Sequence, residues 1–230
     1  MNLLDNIVIN RYQNDFLDLR LGDCMDYLTK FKENEFDLAI VDPPYGYGEA
    51  KTDILNFRQT DTHRNWNTAP SPEYFDQLRV VAENQIVWGG NYFGNLWESG
   101  CRGFIYWHKG NPVSNFADGE LAWTSFDVNA RQIDYRYYGG LEGNSSSSKK
   151  HHPAQKPVKL YEWLLLNYAK EGQTILDTHL GSGSIAIAVN NVNKAEGMNL
   201  HLTGFEKDPD YFEAMCKRLD TAFSQTTIFD

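Results

Sequence analysis

Short apolar runs alternate along this chain with stretches whose apolar residues recur at helical spacing. The clearest run, FDLAIV at 36–41, is nearly continuous and too short for a capped helix, so it predicts a strand buried on both faces. Similar patterns predict further strands at 17–22, 85–88, 103–107, 120–125, 132–138, 174–176 and 201–205. Helical spacing predicts helices at 25–31, 72–82, 158–169, 185–189 and 209–223. This alternation predicts an α/β fold with a doubly wound sheet.

Polar residues and glycines directly follow several of the predicted strands. In a doubly wound sheet, ligands bind beyond the carboxyl ends of the parallel strands, so these positions are candidates for a shared site. They are Asp42, Gly89, Gly90, Lys109, Asp177 and Glu206. Their convergence predicts a ligand site at one edge of the sheet.

The segment from Asp177 to Glu206 has the features of a nucleoside-binding unit. A strand, the loop DTHLGSGS, a helix and a second strand ending in an acid form one βαβ unit. Gly181 and Gly183 would let a ligand approach the backbone, and Glu206 could accept hydrogen bonds from ribose hydroxyls. The strict G-x-G-x-x-G pattern is absent, because Ala186 stands at its last position. An ordinary strand–helix turn is the alternative.

The tetrapeptide DPPY at 42–45 follows the strand predicted at 36–41. Pro43 and Pro44 fix an extended turn, which would hold the Asp42 carboxylate and the Pro43 carbonyl as two aimed acceptors. Two acceptors suit an exocyclic amino group, because its ring-delocalised lone pair is a poor nucleophile until both N–H groups are bound. Tyr45 could stack on the ring that carries this amino group, and such stacking of an aromatic side chain on a base is worth about 1–3 kcal/mol. The alternative is a rigid turn without a catalytic role.

Composition limits the class of protein. The chain has 230 residues, 41% of them hydrophobic, so we expect a single domain spanning 1–230. A net charge of −10 argues against nonspecific coating of nucleic acid. The sequence has no apolar stretch of membrane-spanning length and no secretory signal at its start, so we expect no membrane association. Cys24, Cys101 and Cys216 are widely spaced, which predicts reduced thiols in a cytoplasmic protein.

Together, these motifs resemble those of the DNA adenine methyltransferases with permuted motif order, often called the β class. The resemblance rests on segments 21–28, 36–45, 152–157, 175–184 and 204–211, of which 152–157 reads HPAQKP, similar to the family's H-P-x-Q-K-P motif. It is thinnest over 48–66 and 126–150. It implies a circularly permuted, mostly parallel, seven-stranded, Rossmann-like sheet of the S-adenosylmethionine-dependent methyltransferases.

The resemblance also implies roles for individual residues. Asp42, Pro43, Pro44 and Tyr45 would hold a flipped adenine, whose N6 attacks the methyl group of S-adenosylmethionine directly. Asp23 would reach the cofactor's adenine, Glu206 its ribose, and Lys156 would lie near its carboxylate. The other cofactor-binding residues would be Asp177, His179, Gly181, Ser182 and Gly183. The family more often has Pro-Phe where this chain has Thr178-His179, so the wall formed by that phenylalanine is in question.

A local excess of basic residues suggests a DNA-binding surface. Residues 101–160 carry eight Lys and Arg against five acids, in a chain that is acidic overall. The family's target-recognition region falls in this window, so we predict a short target-recognition insertion around 126–150. The predicted DNA contacts are Arg58, Arg64, Lys109, Arg131, Arg136, Lys149 and Lys150. Ordinary solvated surface charge is the alternative.

Other activities share parts of this pattern. Cytosine-N4 DNA methyltransferases use nearly the same chemistry, although Ser is commoner there in the place of Asp42. RNA and protein-glutamine amino methyltransferases use a similar loop, usually with Asn first, and Thr178-His179 leaves open a catalytically silent DNA-binding relative. The expected partners are double-stranded DNA, a second copy of the chain and a cognate restriction endonuclease. No metal is expected, because adjacent His151 and His152 have poor ligand spacing.

Overall fold

A computed structural model describes residues 10–46, 68–110, 117–138, 141–142 and 155–225. The predicted DNA contacts Arg58, Arg64, Lys149 and Lys150 lie outside the described residues, as does His152. The strands in the described part are β1 Arg11–Gln13, β2 Leu17–Leu21, β3 Phe36–Val41, β4 Ala82–Trp88, β5 Phe104–His108, β6 Gly119–Thr124, β7 Arg131–Asp134, β8 Tyr137–Tyr138, β9 Leu141–Glu142, β10 Thr174–Asp177 and β11 His201–Glu206.

Nine of these strands form one sheet, in the order β1-β2-β11-β10-β3-β4-β6-β5-β7, and β8 pairs with β9 separately. β1 and β6 run antiparallel to their neighbours, and the other sheet strands are parallel. The predicted α/β, mostly parallel, doubly wound sheet is therefore confirmed. The predicted seven strands correspond to the stretch from β2 to β5, and β1 and β7 extend it at the two edges.

Helices cover both faces of the sheet. They are α1 Met25–Leu28, α2 Pro72–Val81, α3 Val158–Tyr168, α4 Ser184–Glu196 and α5 Pro209–Gln225. Successive side chains of β3 point to opposite faces, so Leu38 and Ile40 pack with the core beneath α3–α5, whereas Ala39 and Val41 pack with the core beneath α1 and α2. Both faces of the central strands are therefore dry, which explains their continuous apolar runs.

The chain reverses its winding direction between β10 and β3. The unit β10–α4–β11 is laid down on one side of this boundary, and β3–α2–β4 is laid down on the other. Ligands bind at such a switch point because the loops leaving the two strands diverge and open a crevice. Asp177 ends β10 and Asp42 follows β3, so both predicted site residues lie at this crevice.

Some elements differ from the sequence prediction. The strand predicted at 132–138 ends at Asp134, and Tyr137–Tyr138 belongs to the separate β8–β9 pair. The helix predicted at 185–189 extends from Ser184 to Glu196, and Val192 continues its buried face one turn further. Arg11–Gln13 was not predicted as a strand, since its three polar or half-polar residues form a mostly exposed edge.

All three cysteines lie in the described part, and their thiols are free. Within the described ranges, no helix is long and apolar enough to cross a membrane. The same residues contain no group of three or more His, Cys, Asp and Glu arranged to hold a metal ion. The single-domain prediction and the insertion around 126–150 stay predictions.

Candidate active site

Four carboxyl groups form a row along the carboxyl edge of the sheet. Asp42, Asp177 and Glu206 end or follow the neighbouring strands β3, β10 and β11, and Asp23 follows β2. Neighbouring strands are about 4.8 Å apart, so the row extends over roughly 14 Å. The spatial order is 23, 206, 177, 42, which differs from the order in sequence. The sheet thus brings together site residues predicted from both ends of the chain.

The Asp42 carboxylate is fixed at both of its oxygens. Its Oδ1 accepts a hydrogen bond from the Tyr45 hydroxyl at 2.8 Å, and its Oδ2 lies 2.5 Å from the Lys156 ammonium. Its side chain is 12% exposed, and the following Pro43 is buried. The carboxylate is therefore oriented by the protein itself, with lone pairs left on each oxygen for a further donor.

The Lys156 ammonium is surrounded by three oxygen acceptors. Besides Asp42 Oδ2, it donates to Glu120 Oε2 at 3.2 Å and to the Tyr45 hydroxyl at 3.1 Å. It also lies 5.2 Å from the centre of the Trp88 ring. An ammonium has three N–H donors, so these acceptors use all of them. The contact predicted between Lys156 and the cofactor's carboxylate would require one of these bonds to break, and it stays a prediction.

Glu120 is a site residue that the sequence analysis did not identify. It lies near the amino end of β6, and because β6 is antiparallel, this end meets the carboxyl edge of the parallel strands. Its Oε1 accepts a hydrogen bond from the Lys109 ammonium, and its Oε2 from Lys156. A glutamate beside the apolar residues LAW was the available signal, but its significance depends on the direction of the strand.

Burial and ion pairing set the charges of this cluster. Burial raises the pKa of Asp42, with the Glu120 charge adding to the effect and Lys156 opposing it. Burial would raise the pKa of Glu120 as well, but Lys156 and Lys109 together lower it to about 2. Burial lowers the pKa of Lys156, but the two carboxylates outweigh it and raise that pKa. Lys156 and Glu120 are therefore charged at neutral pH.

The ring of Tyr45 is held between glycine backbone and aromatic side chains. A Cβ atom added at Gly89 would lie 2.1 Å from Cε1 of Tyr45, so only glycine allows this approach. The ring also stacks on Tyr92, with centres 5.0 Å apart and planes at 18°, and contacts Phe93 edge-on. Tyr92 is 46% exposed. The aromatic surface expected at Tyr45 is therefore shared with a half-exposed second ring.

The loop between β10 and α4 contacts the acid at the end of β11. The Gly181 amide donates to Glu206 Oε2 and the Asp208 amide to Oε1, both at 2.8 Å. Each oxygen keeps lone pairs for a ligand hydroxyl. Gly183 has φ +72°, and a Cβ there would lie 2.6 Å from Cγ of Met215. Glycine at this position is therefore required for the packing of α5, and the ligand contact predicted for Gly183 stays a prediction.

Ser182 anchors the same loop instead of pointing freely into the crevice. Arg218 of α5 donates to the Ser182 carbonyl at 2.7 Å and to its hydroxyl at 3.0 Å, and it also donates to the Ser184 hydroxyl. Ser182 is 6% exposed. The ligand contact predicted for Ser182 stays a prediction, and Arg218 is a support of the loop that the sequence analysis did not single out.

Asp177 and His179 lie where β10 passes into the loop before α4. Asp177 is 1% exposed and accepts a hydrogen bond from the His179 amide at 2.9 Å. Burial raises the pKa of Asp177 to about 8, and burial lowers that of His179 to about 4, so His179 is neutral at pH 7. The His179 ring packs edge-on against Tyr74. His179 therefore places an aromatic ring at the position where the family more often has phenylalanine.

Asp23 begins the row at the outer end. Its Oδ1 accepts a hydrogen bond from the Met25 amide at 3.1 Å, and its Oδ2 is 2.6 Å from the Lys207 ammonium. Lys207 follows Glu206 directly, so this pair joins two neighbouring members of the row. Asp23 is thus positioned as an acceptor at the end of the crevice opposite Asp42.

The described part contains three of the predicted DNA contacts, and they lie in different surroundings. Arg136 is exposed and lies just after β7, at the carboxyl ends of the parallel strands, where Asp42 also lies. Lys109 is bound to Glu120, so a phosphate would have to compete with that carboxylate. Arg131 is the first residue of β7, at the opposite ends of the strands, and it donates a hydrogen bond to Asn167. This end of β7 is opposite the end that carries Asp42, and the DNA contact of Arg131 stays a prediction.

Comparison with known proteins gives consistent matches. The type II methyltransferase M.HpaI of Haemophilus parainfluenzae is 25% identical over 256 residues, covering 90% of this chain and 76% of that protein. The crystal structure of an M1.HpyAVI–SAM complex superposes with a TM-score of 0.58 at 20% identity, over 89% of this chain and 99% of the other. The PvuII DNA methyltransferase, described as cytosine-N4-specific, gives 0.55 at 15% identity, over 91% and 92%. These two structures share the fold.

A family match covers the part of the chain that holds most of the site. Residues 87–217, more than half of the chain, match the family described as DNA methylase. The matched range includes Glu120, Lys156, Asp177 and Glu206. The chain belongs to the DNA methylase family.

Proposed function

We propose that this protein transfers a methyl group from S-adenosylmethionine to the N6 amino group of adenine in DNA. The observation that carries the proposal is the Asp42 carboxylate, held by Tyr45 and Lys156 at the switch point of the sheet, one strand away from Asp177. The target base would leave the duplex, at a cost of a few kcal/mol, and enter this crevice.

In the proposed reaction, Asp42 prepares the amino nitrogen to act as a nucleophile. One N–H would donate to Asp42 and the other to the Pro43 carbonyl, which favours a tetrahedral nitrogen with an available lone pair. The nitrogen–carbon bond then forms as the sulfur–carbon bond breaks, and the bonding electrons stay on sulfur. A carboxylate is too weak a base to ionise the neutral amine beforehand. Asp42 therefore stabilises the developing positive charge and accepts the proton afterwards.

The row of carboxyl groups fits the extended shape of the cofactor, which supplies an activated methyl group on a sulfonium sulfur. Asp23 would accept from its adenine, Glu206 from its ribose hydroxyls, and Asp177 would face its ammonium group. The free lone pairs on Glu206 and the glycine backbone at Gly181 suit this arrangement. We further infer that Gly183 and His179 line the same pocket.

Asp42 favours adenine over cytosine as the target. Cytosine-N4 enzymes more commonly carry serine at this position, and the resemblance in motif order also favours adenine. The fold shared with the PvuII enzyme leaves cytosine-N4 as the second outcome to be tested. We infer that the protein acts on double-stranded DNA in the cytoplasm, and that a homodimer and a cognate restriction endonuclease are the partners to look for.

Expression in a host without DNA methylation, followed by sequencing that detects modified bases, tests the proposal. We expect N6-methyladenine at one short recognition sequence, and none with an Asp42→Ala variant expressed at the same level. N4-methylcytosine instead would replace the proposed target base. Unmodified DNA, from protein that still binds labelled S-adenosylmethionine, would point to a silent DNA-binding relative.

Cofactor binding should depend on pH through Asp177. Because the pKa of this buried carboxyl is about 8, it is mostly protonated at pH 6.5 in the free protein. A cofactor ammonium would favour the ionised form, so binding should release a proton, and affinity should rise by up to about tenfold per pH unit below pH 8. Calorimetry at pH 6.5 and 7.5, in buffers of different ionisation enthalpy, measures both effects.

The Asp177→Asn variant is the control for this experiment. It cannot release the proton, so its weaker binding should be flat between pH 6.5 and 7.5. If wild-type binding is itself flat and releases no proton, Asp177 does not face the cofactor's ammonium group.

A further inference from the structure

The hydrogen bonds around Lys156 raise a question of charge. Its ammonium orients Asp42, but a positive charge 2.5 Å from that carboxylate also weakens the carboxylate's interaction with a donor that is becoming positive. Methyl transfer to a neutral amine creates such a donor, because the nitrogen carries positive charge until it loses a proton. An orienting cation at this position is therefore useful only if its charge is balanced nearby.

Glu120 is placed to supply this balance. Its Oε2 binds the Lys156 ammonium at 3.2 Å and lies 3.4 Å from the Tyr45 hydroxyl, so it touches both groups that hold Asp42. Asp42, Lys156 and Glu120 together carry one negative charge, whereas Asp42 and Lys156 alone would be neutral. Glu120 therefore balances the charge of Lys156, and the site keeps the net negative charge of Asp42.

A second lysine keeps Glu120 in place from the outer side. Lys109 binds the opposite carboxylate oxygen, Oε1, and lies 4.8 Å from the centre of the Trp107 ring. Its side chain is 19% exposed, compared with 4% for Lys156, so its charge is better screened by water. Because the two oxygens bind different lysines, the Glu120 carboxylate has one orientation.

We propose that Glu120 is a positioning residue for methyl transfer, which acts through Lys156 and Tyr45 to keep Asp42 oriented and to balance the positive charge of Lys156 beside it. The proposal rests on the function proposed above. It requires only an amino nucleophile, so adenine and cytosine targets serve it equally. Glu120 itself touches neither substrate nor cofactor. Its effect should therefore appear in the rate of transfer and in the ionisation of Asp42, but not in binding.

The test compares Glu120→Gln with wild type under saturating conditions. We expect kcat to fall by about 10–100-fold, with KM for DNA and cofactor within about threefold. Loss of the Glu120 charge should also lower the pKa of Asp42, so the acidic limb of the kcat profile should move to lower pH. Glu120→Asp, which keeps the charge, should leave the limb near its wild-type position and restore part of the rate.

Glu83, an exposed acid near the amino end of β4, provides the matched control. Glu83→Gln removes one charge from the opposite edge of the sheet and should change neither kcat nor the limb. A wild-type kcat in Glu120→Gln would overturn the proposal. So would a lower kcat with an unmoved limb, because a purely structural role would have that result.

A second measurement separates this proposal from the proposed function. The ionisation of Asp42 can be followed by carboxyl carbon NMR in wild type and Glu120→Gln, without any turnover. A lower pKa in the variant supports the coupling even if wild type methylates no duplex, in which case only the proposed reaction fails. An identical Asp42 pKa in both proteins refutes the coupling whatever the activity.

Discussion

Asp42→Asn is expected to reduce kcat for methyl transfer by about 10²–10⁴-fold, while cofactor affinity stays within a few-fold of wild type. Asparagine has nearly the same shape, so the loop should keep its path, and Lys156 keeps its bonds to Glu120 and Tyr45. The amide cannot carry the negative charge that stabilises the developing ammonium. It also offers one acceptor oxygen where the carboxylate has two.

Single-turnover transfer of a labelled methyl group to duplex DNA measures this effect directly. Asp15→Asn is a suitable control, because Asp15 is exposed and lies at the turn before β2, away from the site. If Asp42→Asn transferred methyl groups at the wild-type rate, the amino group would have to be activated by other residues, and the proposed role of the DPPY loop would be wrong.

Gly89→Ala should produce the second large loss of activity. The new Cβ would lie 2.1 Å from Cε1 of Tyr45, a distance at which the ring must move. Moving the ring displaces the hydroxyl that binds Asp42 and the surface on which the base would stack. We expect kcat/KM for DNA to fall by at least about 100-fold, since stacking alone contributes about 1–3 kcal/mol and the hydrogen bond is lost as well.

Gly100→Ala separates the clash from the backbone strain. Gly89 has φ +66° and Gly100 has φ +73°, but a Cβ at Gly100 meets nothing within 4 Å. Both variants should lose about 1–2 kcal/mol of unfolding free energy from the left-handed backbone. Only Gly89→Ala should lose methyl transfer. Equal activity in the two variants would mean that the position of the Tyr45 ring does not matter.

The acids at the ends of parallel strands could be predicted from sequence because the signal is local. Asp42, Asp177 and Glu206 each terminate a short apolar run, and the carboxyl ends of parallel strands meet at one edge. Local patterns also predicted most of the strands and helices in their order along the chain. A local sequence pattern is therefore enough to predict site residues that all lie at the carboxyl ends of parallel strands.

The remaining site residues depend on contacts between distant segments. Glu120 reaches the site only because β6 is antiparallel. Lys156 was predicted as a cofactor-binding residue, but its contacts with Asp42 and Glu120 join segments that are far apart in the sequence, and no short pattern encodes them. The place of Arg131 at the amino end of β7 could not be predicted for a related reason, since a basic residue near a strand does not show at which end of the sheet it lies. Composition and charge alone cannot resolve strand direction.

The insertion of β10 and β11 between β2 and β3 has a consequence for synthesis. A chain that emerges from the ribosome with its N-terminus first can pair residues 11–21 among themselves and strands within 36–134 among themselves. The two pieces are joined only when residues 174–206 arrive. Until then each piece presents an unpaired strand edge, which invites non-native association. Nascent chains of this protein should therefore depend on chaperones until residues 174–206 have emerged from the ribosome.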